Sequence, residues 1–336
     1  MIWTFLTRWF SKKFDWLQVE VTSQCNAACI YCPHTVYRHA WQSRHLSLDT
    51  FRKLLPELPR VRLIHLQGWG EPFLNPDLFA MLTLAKQQGC QVSLTTNGML
   101  LDSGKISALV EAELDILAFS LAGVGENNDR VRRGTDYATV LRTIAAVHAE
   151  KERQKRLRPA LHLAYMVLRS GLADLPRLPA EVSGLGLTQI VLSTLDFVPQ
   201  PDLVREALVP RNSGEYLELK VRFAEVGEAA RRRGLQVYHY LRPPGRLEEC
   251  PENLQRACFI GADGTVSPCV YLNLPVREEV FWVSAEGKCP YRRLTFGSLE
   301  QQSPPEIWQT PNYRRFRRDW RRGSLPLPCQ NCLKVF

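Results

Sequence analysis

The chain has 336 residues, 45% of them apolar and 23% charged, with a formal net charge of +9. That size and balance exclude a minimal domain and a disordered chain, and suit one large domain with a small companion. No apolar run reaches the roughly 18–20 residues of a membrane span, and ten clustered cysteines in so long a chain point to metal or redox chemistry in the cytoplasm rather than to a secreted disulfide scaffold.

Residues 1–15 form an N-terminal extension. Its apolar residues come first and its positive charge late, the reverse of a signal peptide. We expect a helix packed on the domain, with weak contact to a membrane surface as the alternative. Residues 16–22 alternate as a strand, 48–55 read as helix, 61–67 as strand and 76–88 as helix. Residues 91–96 form a strand closed by the turn signal Asn97-Gly98. Then come a helix at 103–113, a strand at 115–120, a long helix at 136–155 and strands at 160–167 and 189–193. Six strands with intervening helices predict an α/β fold, a partial parallel (β/α)6 barrel over 16–198. Functional groups then belong at the C-terminal ends of the strands. A connecting segment, 199–239, carries a helix at 214–233. A small C-terminal cluster-binding domain fills 240–336.

Cys25, Cys29 and Cys32 follow the first strand in a C-x3-C-x2-C run. Three thiolates this close hold three irons of a cubane, and with no fourth cysteine nearby one iron stays open to a ligand. Zinc loops prefer C-x2-C with a matching second pair. His34, close behind, reads as a hydrogen-bonded loop residue rather than a ligand.

This run, with Tyr31 before its last cysteine, resembles the radical S-adenosylmethionine (radical SAM) superfamily. Gln67-Gly68-Trp69-Gly70-Glu71-Pro72 resembles the family's GGEP motif, and Thr95-Thr96-Asn97-Gly98 its TNG turn. The resemblance implies one [4Fe–4S] cluster on Cys25, Cys29 and Cys32. It also implies an S-adenosylmethionine site formed by Gly68, Trp69, Gly70, Glu71, Pro72, Asn97 and Ser120, with Glu71 and exposed carbonyls on the methionyl ammonium. Arg132 and Arg133 resemble a family arginine. Met166 reads as a core residue, with contact to the cofactor as the alternative. No catalytic acid or base is assigned.

Asp263-Gly264 signals a two-residue hairpin. With those two at the turn, Cys258 falls opposite Cys269, about 4.5–5.5 Å away between β-carbons. Cys329 and Cys332 form a C-x2-C pair. On spacing alone, a structural zinc and an iron–sulfur cluster suit these four equally. Gly264-x4-Cys269, Gly297-Ser298-Leu299, Glu306-Ile307-Trp308 and the final pair resemble the SPASM or Twitch extension of the same superfamily. That implies a second [4Fe–4S] cluster on Cys258, Cys269, Cys329 and Cys332, with Cys250 a rival ligand. The sequence stops at Phe336, short of the further cysteines of the full pattern, so one auxiliary cluster is expected. Cys90 and Cys289 read as ordinary buried thiols; the resemblance leaves hydrogen-atom donation to a substrate radical as the alternative for either.

Residues 313–322 place Tyr313, Phe316 and Trp320 on one helical face and six arginines elsewhere. This is a solvated surface or a docking site for an acidic electron donor, a flavodoxin or ferredoxin; no nucleic-acid module accompanies it. The resemblance implies reductive cleavage of S-adenosylmethionine and hydrogen-atom abstraction from a C–H bond, in oxidation or cross-linking of a peptide. A sugar or alcohol dehydrogenase or epimerase is the alternative. A non-catalytic iron–sulfur carrier is the alternative from another class.

Overall fold

The computed structural model describes residues 13–245, 247–284, 287–330 and 332–335. The expectation for the N-terminal extension falls mostly outside them. β1 (Phe14–Val19), β2 (Val61–Leu66), β3 (Gln91–Thr96), β4 (Ile116–Leu121), β5 (Ala160–Val167) and β6 (Leu187–Thr194) are the six expected strands. Helices α1 (Leu48–Arg52), α2 (Leu78–Gln87), α3 (Ser103–Glu111) and α4 (Tyr137–Arg153) return the chain between the first five. Successive strands pair in parallel.

Local chemistry sets these boundaries. The side chains of Asp102 and Asp136 accept the N–H groups of Lys105 and Thr139, at 2.8 and 2.7 Å, and so cap α3 and α4. α1 stops short of its expected end because two prolines follow, and the chain tightens into a 3-10 turn over Leu55–Arg60. Alternation along the strands gives the sheet two characters. Leu161, Leu163, Tyr165 and Val167 of β5 enter the main core. His162, Ala164 and Met166 therefore point to the other, concave face.

The sheet does not stop at six strands. α5 (Ser213–Arg231) leads to β7 (Gln236–His239), which adds in parallel to β6. β8 (Ala257–Ile260) adds in parallel to the far side of β1, and β9 (Thr265–Ser267) and β10 (Gly297–Ser298) follow antiparallel. The order is β10-β9-β8-β1-β2-β3-β4-β5-β6-β7. The expected C-terminal appendage is thus hydrogen-bonded into the barrel sheet, beside the strand that feeds the three-cysteine run. α6 (Pro304–Gln309) and α7 (Pro311–Arg321) cover this end. Trp308 meets the Phe14 ring edge-on at 4.7 Å. No helix among the described residues is long and apolar enough to cross a membrane.

Candidate functional site

The three-cysteine loop leaves β1 at the C-terminal end of the sheet and is tied down on several sides. Ala28 and Cys29 pair antiparallel with Arg133 and Arg132. Asn97 Nδ2 donates to Asn26 Oδ1 at 2.8 Å, and the Glu71 N–H donates to Gln24 O at 2.8 Å. Cys25, Cys29 and Cys32 pack together with Ile30 and Met166. Burial pushes the Cys25 thiol up to about 11 and raises Cys32 further, while Arg132 works the other way on both. A thiol binds metal as thiolate, so metal loading releases protons here and the arginine favours it. The buried Arg132 donates through Nη1 to the Tyr31 hydroxyl at 2.6 Å. Its Nε is buried without a partner among the described residues.

The glycine motif is shaped by its neighbours. A Cβ on Gly68 would lie 2.3 Å from Glu20 Cγ, and one on Gly70 would lie 2.3 Å from Thr22 O. Pro72 opens a short 3-10 turn. The Glu71 carboxylate is buried and committed inside the protein. It accepts the Thr96 hydroxyl and the Asn97 N–H, both at 2.7 Å. The Glu71 carboxylate thereby joins the β2 and β3 loops. Asn97 is likewise engaged, through Asn26 and through the Met99 N–H at 3.0 Å. Ser120, on β4 opposite Ala164, faces the concave side.

The C-terminal cysteines differ from expectation at one position. The hairpin loop has three residues, Ala262 to Gly264. Phe259 pairs with Ser267, Ile260 with Val266, and the Gly261 N–H donates to Thr265 O at 2.9 Å. Gly264 takes the left-handed conformation, φ +75°, that such a loop requires. The register thus shifts by one residue, and a one-residue shift reverses faces. Cys258 no longer opposes Cys269. It is buried next to Arg317, with burial pushing its thiol up to about 12. Cys250 stands where Cys258 was expected: Cys250, Cys269, Cys329 and Cys332 line one cavity of 560 Å³, and Cys289, expected as an ordinary buried thiol, is half-buried in the same wall. Burial, then Glu252 and the other three thiols, holds Cys269 well above the usual thiol range. The described residues contain no group of three or more Cys, His, Asp or Glu side chains converging on a single ion.

Several residues here carried no sequence signal. Lys334 enters the same cavity and pairs with Asp196 at 3.1 Å and Glu252 at 2.8 Å. Burial opposes its charge, but Tyr271, Glu252 and Asp196 keep it protonated well above lysine's usual range. An aromatic seam runs from Trp69 of the glycine motif to the wall of this cavity, which includes Phe197, Tyr271 and Trp282. Trp69 meets Phe197 at 6.3 Å and Tyr271 at 6.1 Å, and Phe197 stacks on Trp282 at 5.6 Å. Glu20 joins the same two regions through the backbone. It accepts the Trp69 N–H at 2.8 Å and the Ala262 N–H at 3.1 Å, and burial pushes its carboxyl up to about 7.

On α7 the three aromatics are buried as expected. Arg317 departs from the outward face. It lies 3.8 Å from the Trp308 ring centroid and donates to Trp308 O at 2.7 Å. Arg314, Arg315, Arg318, Arg321 and Arg322 are exposed.

Comparison with known proteins agrees with this arrangement. Residues 19–154 match the radical SAM superfamily, and residues 250–333 match the iron-sulfur cluster-binding domain called SPASM. A tungsten-containing aldehyde ferredoxin oxidoreductase cofactor-modifying protein of Pyrococcus furiosus is 25% identical over 329 residues, covering 90% of this chain and 83% of its own. A PqqA peptide cyclase of Ruegeria pomeroyi is 28% identical over 330 residues, covering 94% and 79%. The crystal structure of Streptococcus suis SuiB bound to S-adenosylmethionine superposes with a TM-score of 0.66 at 12% identity, covering 90% of this chain and 67% of that one, and shows the shared fold. With its cysteine run on the barrel loop and its second cysteine set in the matched C-terminal region, the chain belongs to the radical SAM superfamily and carries a SPASM-type iron–sulfur domain.

Proposed function

We propose that this enzyme oxidises or cross-links a peptide at an unactivated C–H position. The observation that carries the reading is the presence of two cysteine sites, one on the loop after β1 and one lining a cavity shared with Phe197 and Tyr271, rings that Trp69 of the glycine motif packs against. Similarity to PqqA peptide cyclases over almost the whole chain supports the substrate class.

The family's cofactors are S-adenosylmethionine and [4Fe–4S] clusters, and the donor sets fit them. Cys25, Cys29 and Cys32 would hold the first cluster beside the positive charge and unpaired Nε of Arg132. Cys250, Cys269, Cys329 and Cys332 would hold the second. When bound there, the first cluster and S-adenosylmethionine would supply radical hydrogen-atom abstraction. Glu71 and Asn97 hold the loops of β2 and β3 against the cysteine run. Arg132 orients Tyr31 next to the cysteines, and Ile30 and Met166 pack against the thiols.

An acidic flavodoxin or ferredoxin is the proposed electron donor, docking on the α7 arginines in a reducing cytoplasm. In support, Arg321, Arg322 and Trp320 border a 760 Å³ groove that also has Cys250 in its wall. Such a partner would sit close to the second cysteine site. The test is anaerobic reconstitution, reduction and product analysis. 5′-Deoxyadenosine and methionine are expected, together with a peptide lacking two hydrogens. Absence of 5′-deoxyadenosine with several reductants would return the chain to the role of an iron–sulfur carrier.

A further inference from the structure

We propose that β7 is a docking edge on which an extended, acidic segment of the peptide substrate adds as a further strand; this rests on the peptide reading above. β7 is the last strand of the sheet, paired only with β6, from Gln189↔Gln236 to Leu192↔His239. Among the described residues no backbone hydrogen bond leaves 236–240 on the other side. Exposed edges are normally blocked by charge, proline or a bulge. Gln-Val-Tyr-His has none of these. The opposite edge, β10, has only two residues.

The faces of β7 are settled by its neighbours. Val237 packs against the core, and the His239 ring meets Phe223 of α5 at 5.2 Å. Gln236 and Tyr238 therefore point to the concave side, where the Tyr238 hydroxyl donates to Gln236 Oε1 at 3.0 Å. Tyr238 is 51% exposed and Tyr240, just beyond the strand, 67%. Tyr238 is level with Val191 of β6, which is level with Ala164 of β5. Two residues along β5 is Met166, which packs with the three-cysteine loop. A strand added outside β7 lies three spacings from β5, roughly 14 Å. The docked segment is thus an anchor, and about four or five extended residues beyond it reach the cysteine loop.

Charge names the occupant. Residues 229–247 contain five arginines and no aspartate or glutamate. Arg232 and Arg233, at the turn into β7, are exposed and form no ion pair among the described residues. A second copy of this +9 chain would bring like charge to like. An acidic peptide brings the complement, with main-chain bonds to the edge for affinity and alternate side chains turned inward.

The probe is a fluorescein-labelled peptide of Glu-Thr-Val repeats, with a counterpart N-methylated at alternate residues, added to the reconstituted full chain. Binding is read by anisotropy and its location by amide hydrogen exchange. The expected result is protection of 236–240, with affinity about tenfold lower or worse for the N-methylated peptide and for Arg232→Glu/Arg233→Glu. Both arginines are exposed, so that variant should fold. Equal binding of the two peptides overturns the proposal. So does protection confined to the aromatic cavity around Tyr271, or protection of 236–240 by self-association without peptide. The assay needs no turnover: protection of 236–240 with no peptide product upholds the edge and sinks the proposed function. A peptide product with an unprotected edge sinks the edge alone.

Discussion

Replacing Cys250, Cys269 and Cys289 together by Ala removes three of the five thiols around the 560 Å³ cavity and leaves only Cys329 and Cys332. Two thiols do not hold a cubane. Iron should fall from about eight to about four per chain, the first cluster remaining, by the ligand count of four irons per cluster. Cys258→Ala is the informative comparison, because Cys258 sits on β8 across a register that separates it from Cys269. It deletes one buried sulfur and should cost about 1–2 kcal/mol of stability while iron stays at about eight. The assay is iron and sulfide quantification on anaerobically reconstituted protein, with visible absorbance and a thermal melt on each variant. Halved iron in Cys258→Ala, with Cys250→Ala unaffected, would refute the register argument and restore the two-residue hairpin.

Changing Cys25, Cys29 and Cys32 together to Ala should remove the first cluster alone, leaving about four irons and no cleavage of S-adenosylmethionine; unchanged iron would undo the assignment. Replacing Arg314, Arg318 and Arg321 by Gln should slow turnover driven by flavodoxin, most at low salt, and spare turnover driven by dithionite; equal losses would show that they serve folding or substrate. Glu20 titrates near 7 when folded, against 4.5 for a free side chain. Its contribution to stability is therefore full below about 4.5 and is lost as pH rises through about 7, a fall of about 3 kcal/mol. Glu20→Gln should flatten that part of a denaturant-derived stability profile, and an unchanged slope would assign the pH dependence elsewhere. Gly68→Ala places a Cβ 2.3 Å from Glu20 Cγ and should lower stability by about 1–3 kcal/mol; a neutral melt would show that Glu20 can move aside.

Much of the barrel was legible because its strands alternate and its helices begin at capping residues. The residues of β3 and β5 fall where the pattern puts them. The three-cysteine loop was legible for a similar reason, since its ligands are close in sequence and no tertiary detail is needed to gather them. What escaped depends on contacts between distant residues. Asp263-Gly264 reads equally as a two-residue turn or as the end of a three-residue loop, and that single choice exchanged Cys258 for Cys250. Glu20 has no motif, and its role exists only because Trp69 and Ala262 bring backbone N–H groups to it. Arg317 sits in an arginine-rich run that reads as uniformly solvated, yet Trp308 and Tyr313 draw it inward. Lys334 gives no sign of its two carboxylate partners until the fold joins β6, the 250–254 segment and the C-terminal residues.

The pairing of β1 with β8 joins Trp16 to Ala257, about 240 residues later. A ribosome adding about 5–20 residues per second leaves β1 without that neighbour for about 12–48 s. Through that interval the nascent chain carries a bare apolar edge next to three cysteines already synthesised, and closing so distant a pair is slow in itself. The first cysteine loop is thus open to iron donors, and to oxygen, before its shelter exists. Expression in cells should respond to chaperone supply and to iron-delivery capacity during synthesis more than to either one supplied afterwards.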